Sequence, residues 1–182
     1  ATLSPLAIQS LCDKAFAVEA VTKSFFKEIA DWYFWARERA IFPKDAPVDA
    51  DGKPSLSLIR LLTRLLFCWF LREKRNPQTG KGLIPDDLFD PRRIPDLLKD
   101  PAPDGCSYYT AILQNLFFAT LNQRMGKDKS GQPYRAFAKD EGFQKNRATY
   151  GVDTLYRYEE HFRDAATALD QFADVPFLNG GL

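Results

Sequence analysis

Residues 56–71 read Leu-Ser-Leu-Ile-Arg-Leu-Leu-Thr-Arg-Leu-Leu-Phe-Cys-Trp-Phe-Leu, and the fold class turns on how this run is read. A bilayer span needs about 20 mostly apolar residues. Arg60 and Arg64 sit near the middle of this shorter run, where each would cost about 2.5–3.5 kcal/mol in hydrocarbon. The run therefore predicts a core helix, capped by Ser55 or Ser57 and reaching about Arg75. Pro43, Pro47, Gly52 and Pro54 mark the loop that precedes it. Before that loop, Val18, Val21, Phe25, Ile29, Trp32 and Ala36 recur at three- and four-residue spacing, which predicts a helix from Val18 to Arg39. Ser4-Pro5 reads as an earlier helix start, with proline at the first helical position.

On the other side, Asn76 to Gly82 predicts a turn. Residues 82–105 predict short helical turns interrupted by Pro85, Pro91, Pro95, Pro101 and Pro103. Ser107 should cap a helix to Arg124 whose inner stripe is Tyr109, Leu113, Leu116, Phe117, Thr120 and Leu121, with Gly126 as its left-handed C-terminal cap. A mobile polar segment is expected over 126–150. Asp153 should cap a last helix, with Leu155, Phe162, Ala166, Leu169 and Phe172 facing inward, a break near Asp164 and an end at Pro176. No repeat and no run of alternating strands is visible. The expectation is an all-α fold, an irregular helical bundle of about five to seven helices with a basic loop, forming one domain over residues 1–182.

Composition agrees with a packed chain. Of 182 residues, 45% are apolar and 14% aromatic, which excludes a disordered chain. The net charge of +1 hides an uneven distribution. Residues 60–81 carry six basic and one acidic side chain, and residues 124–147 seven and three. Residues 148–182 carry two basic and six acidic. The three cysteines, Cys12, Cys68 and Cys106, form no CxxC pair, so neither a disulfide framework nor a zinc ribbon is indicated, and a cytoplasmic location is expected. Cys68, inside the apolar run, reads as inert core. His161 is the single histidine and reads as a hydrogen-bonded structural residue.

Three constellations carry chemistry. Arg60, Arg64, Arg72 and Arg75 fall on roughly one helix face. They read either as a phosphate-binding ridge or, preferably, as an ion-pair seam against the acidic C-terminal helix or the Asp86-Asp87 turn. Lys127, Lys129, Arg135, Lys139, Lys145 and Arg147 lie among Gly126, Gly131, Pro133 and Gly142, with Tyr134, Phe137 and Phe143 interleaved. This block reads as a basic loop able to track a nucleic-acid backbone, or as a solvated loop whose aromatics anchor it to the core. The run Trp32-Tyr33-Phe34-Trp35 reads either as a stacking platform or, preferably, as packing, with Trp32 and Trp35, three apart on one helix face, expected in the core. There is no GxGxxG, no Walker loop and no HExxH. Asp86 and Asp96 follow prolines but lack the downstream (D/E)xK triplet that a metal-dependent nuclease needs. Asn76-Pro77-Gln78 only grazes an NPP(Y/F)-type turn. No catalytic, cofactor-binding or metal site is expected in this chain.

Several stretches together resemble a known family. Residues 17–28, Ala-Val-Glu-Ala-Val-Thr-Lys-Ser-Phe-Phe-Lys-Glu, are similar to the opening helix of a region in large bacterial type IIG-like restriction–modification enzymes and phage-exclusion N6-adenine DNA methyltransferases. Residues 58–74 resemble that family's next long helix, and Gly82-Leu83-Ile84-Pro85 the turn after it. Residues 108–122 are similar to the third helix. Pro176-Phe177-Leu178-Asn179-Gly180-Gly181-Leu182 resembles the hallmark just ahead of the methyltransferase domain. Where family members run the second helix straight into Lys-Gly-Leu, Arg75 to Lys81 intervenes here.

The resemblance implies a helical connector upstream of an S-adenosylmethionine-dependent methyltransferase domain, excised from a larger enzyme that also acts as an endonuclease in some members. It implies double-stranded DNA and the adjacent methyltransferase domain as partners, a role in phage defence, and no membrane. S-adenosylmethionine belongs to the parent, with no cofactor in this fragment. The basic block Lys127, Lys129, Arg135, Lys139, Lys145 and Arg147 would then supply phosphate contacts. The alternative is a helical protein–protein interaction module without nucleic-acid binding, anchored through aromatics such as Trp35 or Tyr134. A free-standing enzyme with a carboxylate metal site at Asp86 or Asp96 is the third reading.

Overall fold

The structure, a computed structural model, describes residues 5–99, 107–124, 126–127, 130–131, 133–134, 136–138 and 155–178. The fold is all-α. The chain divides into two compact units, Ala1–Thr63 and Arg64–Leu182, with the boundary inside a helix.

The first unit is built on α1, Pro5–Arg37, and the first half of α2, Ser55–Glu73. The two helix starts expected at Pro5 and Val18 are one continuous helix, because no glycine or proline interrupts residues 6–42. The turn that joins α1 to α2 is organised by charge. The Arg37 guanidinium donates to Asp49 at 3.0 Å, to Asp51 at 2.6 Å and to Ser55 Oγ at 2.9 Å. Asp49 also accepts from the Ser55 hydroxyl and from the Lys53 and Asp51 backbone N–H groups. Lys53 reaches back to Glu38 at 2.7 Å. Arg37 thus fastens the last turn of α1 to the first turn of α2.

The second unit is centred on one helix with an unusual winding. Residues Tyr108–Leu113 and Asn115–Leu121 are π-helical, and the Gln114 N–H bonds the Tyr109 carbonyl five residues back. An α-helix was the expectation here. Ala111, Ile112, Leu113, Asn115, Leu116, Phe117, Ala119, Thr120 and Leu121 are all buried, so the helix is covered on nearly every side. The same unit contains the end of α2, a 3-10 turn Asp86–Leu88, the four-residue α3 (Ile94–Leu97) and α4 (Ala165–Ala173). Tyr108 donates to the Leu88 carbonyl at 2.8 Å.

Two corrections concern the C-terminal half. Gly126 does not cap the central helix; Gly126–Lys127 (β1) pairs antiparallel with Pro133–Tyr134 (β2). The helix expected from Asp153 exists only as α4. Its start is capped by Asp164, whose carboxylate accepts from the Thr167 N–H at 2.9 Å. Leu155–Tyr156 (β4) instead runs parallel to Ala136–Phe137 (β3). Asp153 itself lies outside the described residues. Ala166, expected to face inward, is exposed, while Ala168 and Phe172 are buried.

The cause of the extended segment is Asn115. Its Nδ2 donates to the Arg157 carbonyl at 2.8 Å and its Oδ1 accepts from the Arg157 N–H at 2.8 Å, as a neighbouring strand would. Nδ2 also bonds the Ala111 carbonyl at 2.7 Å. Tyr158 then turns through left-handed backbone, φ 64°, into the 3-10 turn Glu159–His161. Leu98 and Phe162 form an antiparallel bridge. Phe137, Tyr156, Phe162 and Phe172 close this side as an aromatic cluster with ring separations of 5.1–6.0 Å.

Asn115→Ala should lower the unfolding free energy by about 3 kcal/mol, since two buried backbone groups lose their partner at ~1–3 kcal/mol each; urea denaturation followed by circular dichroism measures this. The contacts to Ser55, Lys53 N–H and Arg37 hold the Asp49 carboxyl well below the usual carboxylate range. A depressed folded value stabilises the protein above the ordinary carboxylate pKa of about 4 and is lost as pH falls below it. Asp49→Asn should therefore be less stable than wild type at neutral pH. The gap should narrow on acidification, as read from melting temperatures across that range.

Candidate functional site

The basic block is the first place to look for function. Lys127 lies in β1, and its side chain, together with Lys129, Arg135, Lys139, Lys145 and Arg147, lies outside the described residues. What is described around the block is its footing. The short hairpin β1–β2 turns at Gly131, φ 82°, where a side chain would be strained. Phe137 sits half-buried against Tyr156 and Phe162, so this interleaved aromatic anchors the segment to the core. Phe143 and the Tyr134 side chain are outside the described residues.

The four arginines of α2 and its exit do not form one ridge. Arg72 Nε meets Asp86 Oδ1 at 2.6 Å, the ion-pair seam with the Asp86-Asp87 turn that the sequence favoured. Arg64 lies over the rings of Phe117 and Phe118, 5.8 and 5.3 Å from their centroids. Arg60 and Arg75 are exposed.

Trp32 and Trp35 do not pack in the core as expected: they are 39% and 55% exposed. Of the stripe Val21, Phe25, Ile29, Trp32 and Ala36, only Ala36 is buried. Helical spacing marks the apolar face of α1, but a contiguous face is covered only where something packs on it. Arg39 stacks over Trp35 at 5.0 Å and donates to the Trp35 carbonyl.

Two features escaped the sequence reading. The first is a pair of exposed aromatics on α2, Trp69 and Phe70, each 53% exposed and each carrying a cation. Arg72 lies 4.4 Å from the Trp69 ring centre and Lys74 5.0 Å from that of Phe70. The second is a cleft of about 680 Å³ with Arg75 and Lys81 among its lining residues, together with Asp86, Asp87, Asp170 and Asp174. Asp86 is engaged by Arg72, and Asp87 by Arg93 at 3.5 Å. The signal available in sequence was the Asn-Pro…Gly-Lys-Gly turn, which alone does not specify a wall.

Asp96 pairs with Arg93 at 3.2 Å. Among the described residues no three His, Cys, Asp or Glu side chains come together as a metal-binding group. Among them, too, no helix is long and apolar enough to cross a membrane. His161 is partly exposed at the end of its 3-10 turn, 3.7 Å from Glu160 and 5.9 Å from the Tyr158 ring. Cys68 is fully buried, and burial pushes its thiol up to about 12. No protein-family model, curated protein or solved structure matches the chain.

With Cys12 and Cys106 changed to serine, Cys68 should resist a thiol reagent at mildly alkaline pH in the native protein and react fully in concentrated guanidinium; rapid native-state labelling would contradict the buried placement.

Proposed function

We propose that the chain is the helical connector of a bacterial restriction–modification DNA methyltransferase. In this reading its work is positional. It holds catalytic modules in place, carries out no catalysis of its own, and touches DNA phosphates through Lys127, Lys129, Arg135, Lys139, Lys145 and Arg147. The observation that supports it is the exposed apolar surface of α1. Val21, Phe25, Phe26, Trp32, Phe34 and Trp35 are 39–69% exposed on a single helix. That much apolar surface suits a chain that works against a neighbour. The resemblance supplies the neighbour: a methyltransferase domain, which would carry the S-adenosylmethionine. The exposure of Trp35 equally favours the second reading, a helical protein-interaction module with no nucleic-acid role.

Duplex DNA separates the two. Each phosphate contact contributes about 0.9 to the slope of log affinity against log salt. Changing the six basic residues to alanine should flatten that slope by roughly 5 if all six make contact, as measured by fluorescence anisotropy at several salt concentrations. An unchanged slope, with a stable protein partner recovered on a Trp35-dependent basis, would support the interaction module instead.

A further inference from the structure

The exit of α2 combines the two elements that bind an unpaired nucleotide: open aromatic faces and fixed cations. Trp69 and Phe70 are half-exposed neighbours in the last turns of the helix. The Arg72 guanidinium lies over the indole at 4.4 Å and is held there by Asp86 at 2.6 Å. One side of the indole therefore carries a cation of fixed orientation, and the residue as a whole is 53% exposed.

The loop that follows is rigid. Arg75 and Gly82 form an antiparallel bridge. The Asn76 N–H donates to the Lys81 carbonyl, and the Gly80 N–H to the Asn76 carbonyl, both at 2.8 Å. The Asn76 side chain accepts from the Gln78 N–H at 2.8 Å. The returning strand then caps α2: the Leu83 N–H reaches the carbonyls of Leu71 at 3.2 Å and Lys74 at 3.0 Å. A Cβ at Gly82 would come within 2.4 Å of the Arg72 carbonyl oxygen, so this close return requires glycine. Arg75 and Lys81 are exposed on the two arms of this loop, beside Lys74 on the helix end. Neither Arg75 nor Lys81 makes an ion pair among the described residues.

Among the described residues, the acidic groups beside this surface are either paired with arginines or line the cleft. Glu73 lies 3.9 Å from Arg72; Asp86 and Asp87 are paired with Arg72 and Arg93. Asp170 and Asp174 line the same cleft from α4. A polyanion is therefore drawn to the α2 side and repelled from the α4 side.

We propose that Trp69 and Phe70, flanked by Lys74, Arg75 and Lys81, bind an unpaired stretch of nucleic acid, with a base stacked on Trp69 and its phosphates on the cations. A duplex keeps its base faces inside the stack and so cannot use Trp69 in this way. An acidic peptide would satisfy the cations but leave both rings without a planar partner. The inference rests on the reading of the chain as a nucleic-acid-contacting connector, and names a second contact that differs from the basic block in the strand it selects.

The test uses the full chain with Trp32→Phe and Trp35→Phe, which leaves Trp69 as the sole tryptophan. It is titrated with an oligothymidylate, an oligouridylate, a duplex and vesicles containing phosphatidylserine. Single strands should quench Trp69 emission, while the duplex should bind without quenching it. The deoxy and ribo arms tell which strand is preferred. Base–aromatic stacking is worth ~1–3 kcal/mol per base. Trp69→Ala should therefore weaken single-strand binding by about 5- to 150-fold and leave duplex binding within about twofold. Trp69→Phe, which keeps a ring, should recover part of the loss, and circular dichroism confirms that each variant folds. Lys81→Glu should weaken single-strand binding most at low salt. Duplex binding with no quenching by either single strand overturns this inference alone. No binding to any nucleic acid overturns both readings. A blue shift on vesicles without quenching by single strands assigns the surface to anionic lipid and overturns the inference as well.

Discussion

The second unit depends on one buried carboxamide. Asn115 is fully buried, and it bonds both backbone polar groups of Arg157 while reaching the Ala111 carbonyl within its own helix. A buried amide without partners is costly, and here the three bonds use its donors and its acceptor together. The clamp makes the central helix behave, at one position, like a strand edge. Arg157 must then be extended, which explains the short β3–β4 pairing beside it and the left-handed turn at Tyr158 that follows. From that turn the chain reaches the Leu98–Phe162 bridge and the Asp164 cap of α4. The wide π winding belongs to the same arrangement. Thr120 Oγ1 donates to the Asn115 carbonyl five residues back and meets the Tyr156 hydroxyl at 2.8 Å, so a second polar link joins the same two segments.

These relations mark the limit of what periodicity conveys. α2 was legible because its apolar residues have no alternative to a core helix and Pro54 stands directly ahead of its first residue, Ser55. The all-α class followed from the same signal repeated along the chain. The π register of the central helix was not legible, because a helix apolar on nearly every side keeps no phase from which residues per turn can be counted. Leu155–Tyr156 was read as helix because its extended form is imposed by Asn115 from 42 residues away in sequence. Strands of two residues are also too short to show alternation.

Charge was legible by segment but not by destination. The block 60–81 is rich in arginine, yet Arg72 is consumed by Asp86 and Arg64 by the rings of Phe117 and Phe118. What remains exposed is set by the loop 75–82. Residues 75–82 close on themselves through the Arg75–Gly82 bridge, and Leu83 caps α2. A loop whose ends meet lengthens the chain without moving the elements it joins, and its entropic cost rises only slowly with length. It also places cations where a simple turn would have none.

α1 raises the converse problem, a face that was read correctly but assigned the wrong surroundings. A 33-residue helix is a rod of roughly 50 Å. Among the described side chains its apolar stripe is buried only at Ala36, near the Arg37 clamp that ties it to α2. Toward the N-terminal side of that clamp, Val21 through Glu28 are exposed without interruption. Amphipathic spacing records that a face is meant to be covered; it carries no information on whether the cover lies within the chain. Aromatics are expensive to leave in water, at ~25 cal/mol for each Å² of apolar area. The stripe of Val21, Phe25, Trp32 and Trp35 carries that cost on a helix tied to α2 at Arg37.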